Sequence, residues 1–495
     1  MAQMTSRRRR FAGGRARISV GLLAGALACA LPLAPALAQD AVAYQPALDA
    51  AWAGRTAEAL QLINAYLVEH PDDHAAQLDR ARFLAWLGDY AGADDALAGF
   101  GSEDVEATAL RARVLAWAGR RDAALALNAP LYAADPEDYE NAWTQALILR
   151  QGEWPHQALP ALATVQAVKP DEKDSVDLAK SVRLPLFSSV GLAPSLYTDS
   201  DDIEIRSLAI DTNLWLSDRW RLLAGATRRQ HSAAFGSAFA PLLGDNHVDE
   251  GRVGLGLRFA PTADTALELW LGNSRIDNGI GSDGETIGHL QFSQRATDAF
   301  SYALTYDRDR VDASPRALAV MRDGLALDLA WTPTLRDRFD ARIAADDFDD
   351  DNSRTSVLAS YMRAIHRGEH VMFDLGLQAE GQHNSRNTDN GYYSPDDYRR
   401  YAVAASSYVT LGEEAGLYLS AALGQQKDET FDSWKRATDL RAELTIGIFS
   451  HWQLVGSAGY SQRLNQFGRY EGTSVGLELR YRFCEFRADR CPVVR

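Results

Sequence analysis

The stretch "TSVGLELRYRF", residues 473–483, alternates without interruption. Thr473, Val475, Leu477, Leu479, Tyr481 and Phe483 fall on one side of an extended strand, and Ser474, Gly476, Glu478, Arg480 and Arg482 on the other. A strand built this way faces two different solvents. The same period of two runs back to Phe187, and sixteen amphipathic segments can be placed between that residue and Phe483.

The connections between the segments decide what closes them. Short turns ("SDR", "APTAD", "RGE", "GEE") alternate with longer polar loops at Ser232–His247, Asp277–Gly284, Asp309–Ala319, Asp346–Ser353 and His383–Tyr398. One-sided loop lengths are the mark of an outer-membrane barrel, with short periplasmic turns and longer extracellular loops. In hydrocarbon each backbone N–H and C=O must be paired within the protein, which a closed ring of strands achieves and an open sheet does not. An even strand count returns the C-terminus to the periplasmic side. Leu267, Leu269 and Leu271 are then expected outward with Glu268 and Trp270 inward, and Leu440, Leu444, Ile446 and Ile448 outward with Arg441 and Glu443 inward. Trp220, Trp331 and Trp452 adjoin short turns, as a periplasmic aromatic girdle requires. A soluble β-sandwich also alternates, but it does not predict loops that are long on one side only.

The first 38 residues read as a signal peptide: Arg7–Arg10, Arg15 and Arg17 form a basic head, Ile18 to Leu33 an apolar run, and Ala36-Leu37-Ala38 a cleavage site. The whole chain has 51 Lys and Arg against 67 Asp and Glu, a net charge of −16. Removing a segment with six of those bases and no acid deepens it to −22. This balance argues against nucleic acid as a partner. Cys484 and Cys491 are the cysteines left after cleavage, either a disulfide formed in an oxidising periplasm or two free thiols.

Residues 39–172 follow a different rule. Gly54, Gly88, Gly119 and Gly152 recur in "AWAGRTAEAL", "LAWLGDYAGADDAL", "LAWAGRRDAALAL" and "QGEWPHQAL". Ala59, Ala93 and Ala124 stand five positions after the first three glycines, and Ala47, Ala81 and Ala112 seven before them. Small residues at those places let antiparallel helices approach closely, and Pro71, Pro136 and Pro170 stop the second helix of three units. The pattern resembles the tetratricopeptide repeat. Trp52, Trp86 and Trp117 are expected to pack between helices. Residues 173–185 read as a charged linker, 186–483 as the sixteen-stranded antiparallel barrel, and 484–495 as a periplasmic tail.

Motifs with catalytic associations fail their structural tests. Gly472-Thr473-Ser474-Val475-Gly476 matches the hydrolase elbow G-x-S-x-G but sits inside a strand, where the elbow needs a strand-to-helix turn. The run Asp346 to Asp351 lacks the glycine and the bidentate glutamate of a calcium loop. The expectation is a non-enzyme with no cofactor and no metal. The loop "NTDNGYYSPDDYRRY" (387–401) has two readings. Its tyrosines and carboxylates offer flat faces and acceptors for a sugar, or the loop packs on itself with Tyr398 and Tyr401 in the interfacial girdle.

Repeats followed by a 16-stranded barrel resemble the outer-membrane exopolysaccharide export porins of the poly-β-1,6-N-acetylglucosamine and cellulose type. Local likeness lies in "LAWAGR", "LWLSDRWRLLAG" (214–225), "ASPRALAVMRDG" (313–324) and "GYYSPDDY" (391–398). The resemblance implies a passive conduit in the outer membrane for a neutral or cationic polymer. It also implies periplasmic repeats that dock the polymer or a synthase component. It makes Tyr392, Tyr393, Asp396 and Asp397 polymer contacts near the outer mouth, and Glu268, Trp270, Asp328, Glu443 and Glu478 residues of the lumen. The repeats are fewer than such exporters usually have, and twelve residues follow Phe483 where barrels usually stop at a terminal aromatic. Two other classes join similar parts: barrels that translocate surface lipoproteins, and structural or receptor barrels without transport.

Overall fold

The computed structural model describes residues 43–465 and 468–484. The expected signal segment and Cys491 lie outside them, and Cys484 is disulfide-bonded. Nine helices come first among the described residues: α1 (Gln45–Trp52), α2 (Thr56–Glu69), α3 (His74–Trp86), α4 (Tyr90–Leu97), α5 (Val105–Trp117), α6 (Arg121–Ala134), α7 (Tyr139–Leu149), α8 (Leu159–Val168) and α9 (Lys173–Arg183). Each packs chiefly on its sequence neighbours, as in a solenoid.

The repeat works through three recurring devices. Gly54, Gly88, Gly119 and Gly152 turn each pair of helices at φ of +77°, +79°, +77° and +90°, a left-handed conformation that costs other residues free energy. Asp73, Asp104 and Asp138 cap α3, α5 and α7 by accepting from the backbone N–H groups of Ala76, Ala107 and Asn141. Ala47, Ala59, Ala81, Ala93, Ala112 and Ala124 are all buried where helices cross. Trp117 is buried edge-on to Trp143 and Trp86 is partly buried against Phe83, but Trp52, at the end of α1, is 46% exposed and does not pack between helices.

Residues 173–183 correct the linker reading. They form α9, whose Leu178 and Val182, one turn apart, are buried in the same core as α7 and α8. Its charges conceal that stripe in a linear reading.

Sixteen strands follow, β1 (Ser188–Asp199), β2 (Glu204–Trp215), β3 (Trp220–Ser232), β4 (His247–Thr262), β5 (Thr265–Asp277), β6 (Ser282–Arg295), β7 (Phe300–Arg310) and β8 (Met321–Trp331), then β9 (Asp337–Phe348), β10 (Ser353–Arg367), β11 (Val371–Asn384), β12 (Tyr398–Thr410), β13 (Ala415–Lys427), β14 (Lys435–Ile446), β15 (Trp452–Asn465) and β16 (Gly468–Phe483). Every strand pairs with its sequence neighbours, and β1 pairs antiparallel with β16, placing Leu192 opposite Leu479. The ring is closed.

The alternating faces separate as the opening stretch requires. Val475, Leu477, Leu479 and Tyr481 are exposed on the outside, joined across strands by Leu192, Leu255, Leu271, Leu377 and Leu423. An aromatic belt rings the end bearing the short turns: Trp220 stacks on Phe259 at 4.4 Å, Trp331 on Phe339 at 5.2 Å, and Trp452 lies 4.6 Å from Tyr481. At the other end Tyr401 faces outward beside Trp434, whereas Tyr398 is buried inside the mouth. Two details differ from expectation. β14 ends at Ile446, so Ile448 sits in the turn after Gly447 (φ +74°). The loops expected at 277–284 and 346–353 shrink to 278–281 and 349–352 because their flanking strands run further than the alternation indicated.

Among the described residues no helix is long and apolar enough to cross a membrane; the strands cross it. Leu271→Arg places a charge on the lipid face midway along β5 and is expected to cost about 2–4 kcal/mol of barrel stability. Gln291→Arg, on the lumen face, is expected to change stability little. Urea unfolding in vesicles compares the two.

Candidate functional site: a lined lumen with two covers

Inward positions of the strands carry most of the barrel's charge, and the charges are paired. Asp328 of β8 receives a two-pronged hydrogen bond from Arg342 Nη1 of β9 at 2.9 and 2.7 Å. Glu443 accepts from Arg441 at 2.7 Å, and Glu478 pairs with Arg480, which also lies 3.7 Å from Asp211. Glu268 is buried in the wall, accepting from Arg258 at 2.9 Å and lying 3.0 Å from His289 Nε2. Trp270, half-buried, lies nearly parallel to His289, the ring centroids 6.2 Å apart and the planes at 11°. All five residues read as lumen-facing share the inward parity of their strands.

The helical repeats lie directly on the barrel rim. Arg120 donates to the carbonyls of Asp298 at 2.9 Å and Thr334 at 3.0 Å, in the β6–β7 and β8–β9 turns. Asp298 in return accepts from the backbone N–H groups of Asp122 and Ala123 at 2.9 and 2.8 Å, so a barrel turn caps α6. Arg121 pairs with Asp264 of the β4–β5 turn at 2.9 Å. At Gly152 a Cβ would stand 2.5 Å from the Ala263 carbonyl oxygen, and the neighbouring Glu153 N–H donates to that oxygen at 2.9 Å. The Glu153 carboxylate then reaches the wall itself, 2.7 Å from Arg258 and 3.3 Å from Arg221.

On the far side Lys173 of α9 pairs with Glu413 in the β12–β13 turn. The β4–β5 and β12–β13 turns are half the ring apart. The last repeat with α9 therefore bridges the periplasmic opening, which a sixteen-stranded ring makes roughly 30 Å across. Beside this bridge, burial and the neighbouring Asp177, Glu140 and Glu172 push the Asp174 carboxyl up to about 6. Asp177 is also raised, by burial first, then by Glu413 and Glu414.

The outer mouth is covered by its own loops. Arg316, in the β7–β8 loop, donates from Nε to the Ala240 carbonyl at 2.9 Å, from Nη2 to Ser237 at 3.2 Å and from Nη1 to Asp389 at 3.1 Å. Ser314 Oγ donates to the Gly391 carbonyl at 2.7 Å. Loops 233–246 and 385–397 arise from opposite walls and meet in one apolar cluster of Ile203, Ala233, Phe239, Tyr393 and Tyr398.

Tyr392 and Tyr393 belong to this cover. Tyr392 is fully buried, stacked 5.2 Å from Phe348, donating to Asp350 at 2.8 Å and accepting from Asn352 at 3.0 Å. Tyr393 is buried edge-on to Tyr398 and donates to Asp428. Burial pushes Tyr392 up to about 12 and Tyr393 further, keeping both phenols neutral donors. Neither ring offers a free face to a sugar, so the loop follows its self-packing reading. Asp396 and Asp397 are exposed, their N–H groups bound by Glu429 at 3.0 and 3.1 Å. The structure does not bring these four residues to the lumen five. Linear reading missed Glu153, Arg221, Arg258, His289 and Arg316. Parity marks the three in the strands as inward, but nothing local marks Glu153 or Arg316.

These features define an outer-membrane barrel with a polar lumen. Residues 190–413 match the family model described as the PgaA membrane beta barrel domain. A structure titled "Bacterial polysaccharide outer membrane secretin" is similar to this chain with a TM-score of 0.51 at 16% identity, covering 60% of this chain and 98% of that one. CdiB from Acinetobacter baumannii aligns at TM-score 0.38 and 10% identity over 59% of this chain and 60% of that one. The CymD monoaromatic hydrocarbon channel aligns at 0.35 and 8%, over 68% and 99%. No curated protein matches the chain.

Arg316→Ala removes three donors that tie loops from opposite walls and is expected to raise single-channel conductance in planar bilayers, with the barrel intact by circular dichroism. The Asp174 carboxyl is raised above its ordinary value of 3.8, so its contribution to stability is lost as pH rises through about 6. The repeats are expected to gain stability as pH falls from about 6 towards 4, and Asp174→Asn to flatten that gain in thermal melts followed by helix ellipticity.

Proposed function

We propose that this chain exports an exopolysaccharide across the outer membrane, with the repeats receiving the polymer and the barrel acting as a passive conduit. The match of residues 190–413 to the PgaA barrel model and the fold shared with a structure titled as a polysaccharide secretin support the coarse reading. The observation that carries the finer one is the seating of the last repeat across the periplasmic opening, held by Glu153, Arg121 and Lys173. A polymer entering the barrel must pass this repeat, so its surface is where recognition takes place.

The chemistry at that passage favours a cationic or neutral polymer. Glu140, Glu172, Asp174 and Asp177 crowd one region of the last repeat, beside Glu413 and Glu414 of the barrel. Burial and then their mutual repulsion raise Asp174, and that repulsion is relieved by a positive charge and aggravated by a negative one. Inside, paired charges leave little net field along the wall, which suits a conduit that must release what it binds. No catalytic role is needed for such transit.

Deletion of the gene is expected to trap polymer in the periplasm and leave the cell surface bare, measured by fractionation and sugar analysis. Restored surface lipoprotein in place of surface polymer on complementation would point to the translocator class instead.

A further inference from the structure

The outer, lipid-facing wall of β8 to β14 is not a smooth cylinder. It holds an apolar groove of about 1130 Å³. Outward residues of neighbouring strands stand opposite one another in register, and these rows shape the groove. Trp331, Phe339, Tyr361, Leu377, Val403 and Leu423 form one continuous bank across β8 to β13. The next row toward the long loops has small side chains on three strands, Ala341, Ala359 and Ala379, and these make the floor. Barrel strands tilt by roughly 35–45°, so a row of register partners climbs the wall as it crosses it. Ala341 lies near the periplasmic start of β9, and the same row reaches Tyr401 near the extracellular start of β12.

The upper end of the groove is aromatic and then basic. Tyr401 and Trp434 line it, their ring centroids 5.6 Å apart. One outward position further toward the loops, Arg399 and Lys427 stand directly opposite each other on β12 and β13. Arg436 of β14 stands opposite Gln425, the outward neighbour of Lys427 and itself a residue of the groove. Like charges placed opposite each other in a sheet repel. Arg399 donates to Asp397 at 2.8 Å, but Lys427 and Arg436 have no ion-pair partner among the described residues. A chain that is acidic as a whole thus gathers three cations on its lipid face, just above an aromatic belt, at the depth where headgroups begin.

We propose that the groove seats a lipid of the extracellular leaflet that carries several acyl chains and a phosphorylated headgroup. The chains lie over Ala341, Ala359 and Ala379, and the phosphate lies among Arg399, Lys427 and Arg436, where it relieves their repulsion. The proposal rests on the membrane barrel and not on the export reading. The size of the groove fits such an occupant, since sites for a single drug-sized ligand hold roughly 300–1,000 Å³. Charge argues against a second copy of this chain. A two-fold axis along the membrane normal would keep both cation clusters at one depth and bring them towards each other.

The test adds lipid to the delipidated full chain in detergent and counts the molecules retained by native mass spectrometry. The probes are bis-phosphorylated lipid A and the same lipid stripped of its phosphates. The phosphorylated form is expected to be retained about tenfold better, and Lys427→Ala and Arg436→Ala each to weaken its retention about fivefold. Ala359→Phe, which fills the floor and keeps the cations, is expected to lower retention of both lipids. Arg228→Ala removes an outward cation of β3, elsewhere on the ring, and is expected to change nothing. A heat-dependent gel shift checks that each barrel is folded. Equal retention of the two lipids, or an equal loss with Arg228→Ala, overturns the headgroup site. Protein dimers that Ala359→Phe dissociates overturn it as well and give the groove to a second copy. The export reading stands in either case.

Discussion

Hydrocarbon offers no hydrogen bonds, and the rest of this molecule follows from that. Each strand from β1 to β16 must pair on both edges, so the sheet must close, and it does so through the β1–β16 pairing that seats Leu192 against Leu479. Closure forces alternate residues inward, where lipid cannot reach them. The inward set is therefore free to be polar, and Asp328, Arg342, Glu443 and Glu478 occupy it.

A closed ring of this width would leak unless its ends were governed. The two ends are governed by different means. At the outer end, loops from opposite walls interlock through Arg316 and a small apolar cluster containing Tyr393. At the inner end, a helical solenoid is laid over the rim and fixed by ion pairs and by a helix N-terminus capped from the barrel. Exposed rim pairs such as Lys173–Glu413 are of modest strength in water, whereas the wall between the two covers is locked by continuous ladders.

The two halves are coupled as well as adjacent. Glu153 lies in the turn after α7, yet its carboxylate completes a line through Arg258 and Glu268 to His289. Movement of the last repeat would alter the ionic balance of the wall next to Trp270. A buried pair that loses one partner leaves a charge uncompensated, so such movement has an energetic consequence inside the lumen.

Strand number, the outward set and the repeat glycines could be read from the chain because each is a local period: two for strands against two solvents, and about thirty-four for a stacked helix pair. Trp270 and Glu268 were placed inward by parity alone. What the sequence could not contain was distance. Tyr392 and Tyr393 look available in a polar loop, but they are buried because loops far apart in the chain converge over one mouth. Lys173–Arg183 looks like a connector until α7 and α8 supply a surface for its apolar stripe. Periodicity constrains each strand and helix separately, so it fixed the elements; the seating of the repeats on the rim brought residues 100 or more apart, Glu153 and Arg258 among them, within bonding reach, and only three dimensions could decide that.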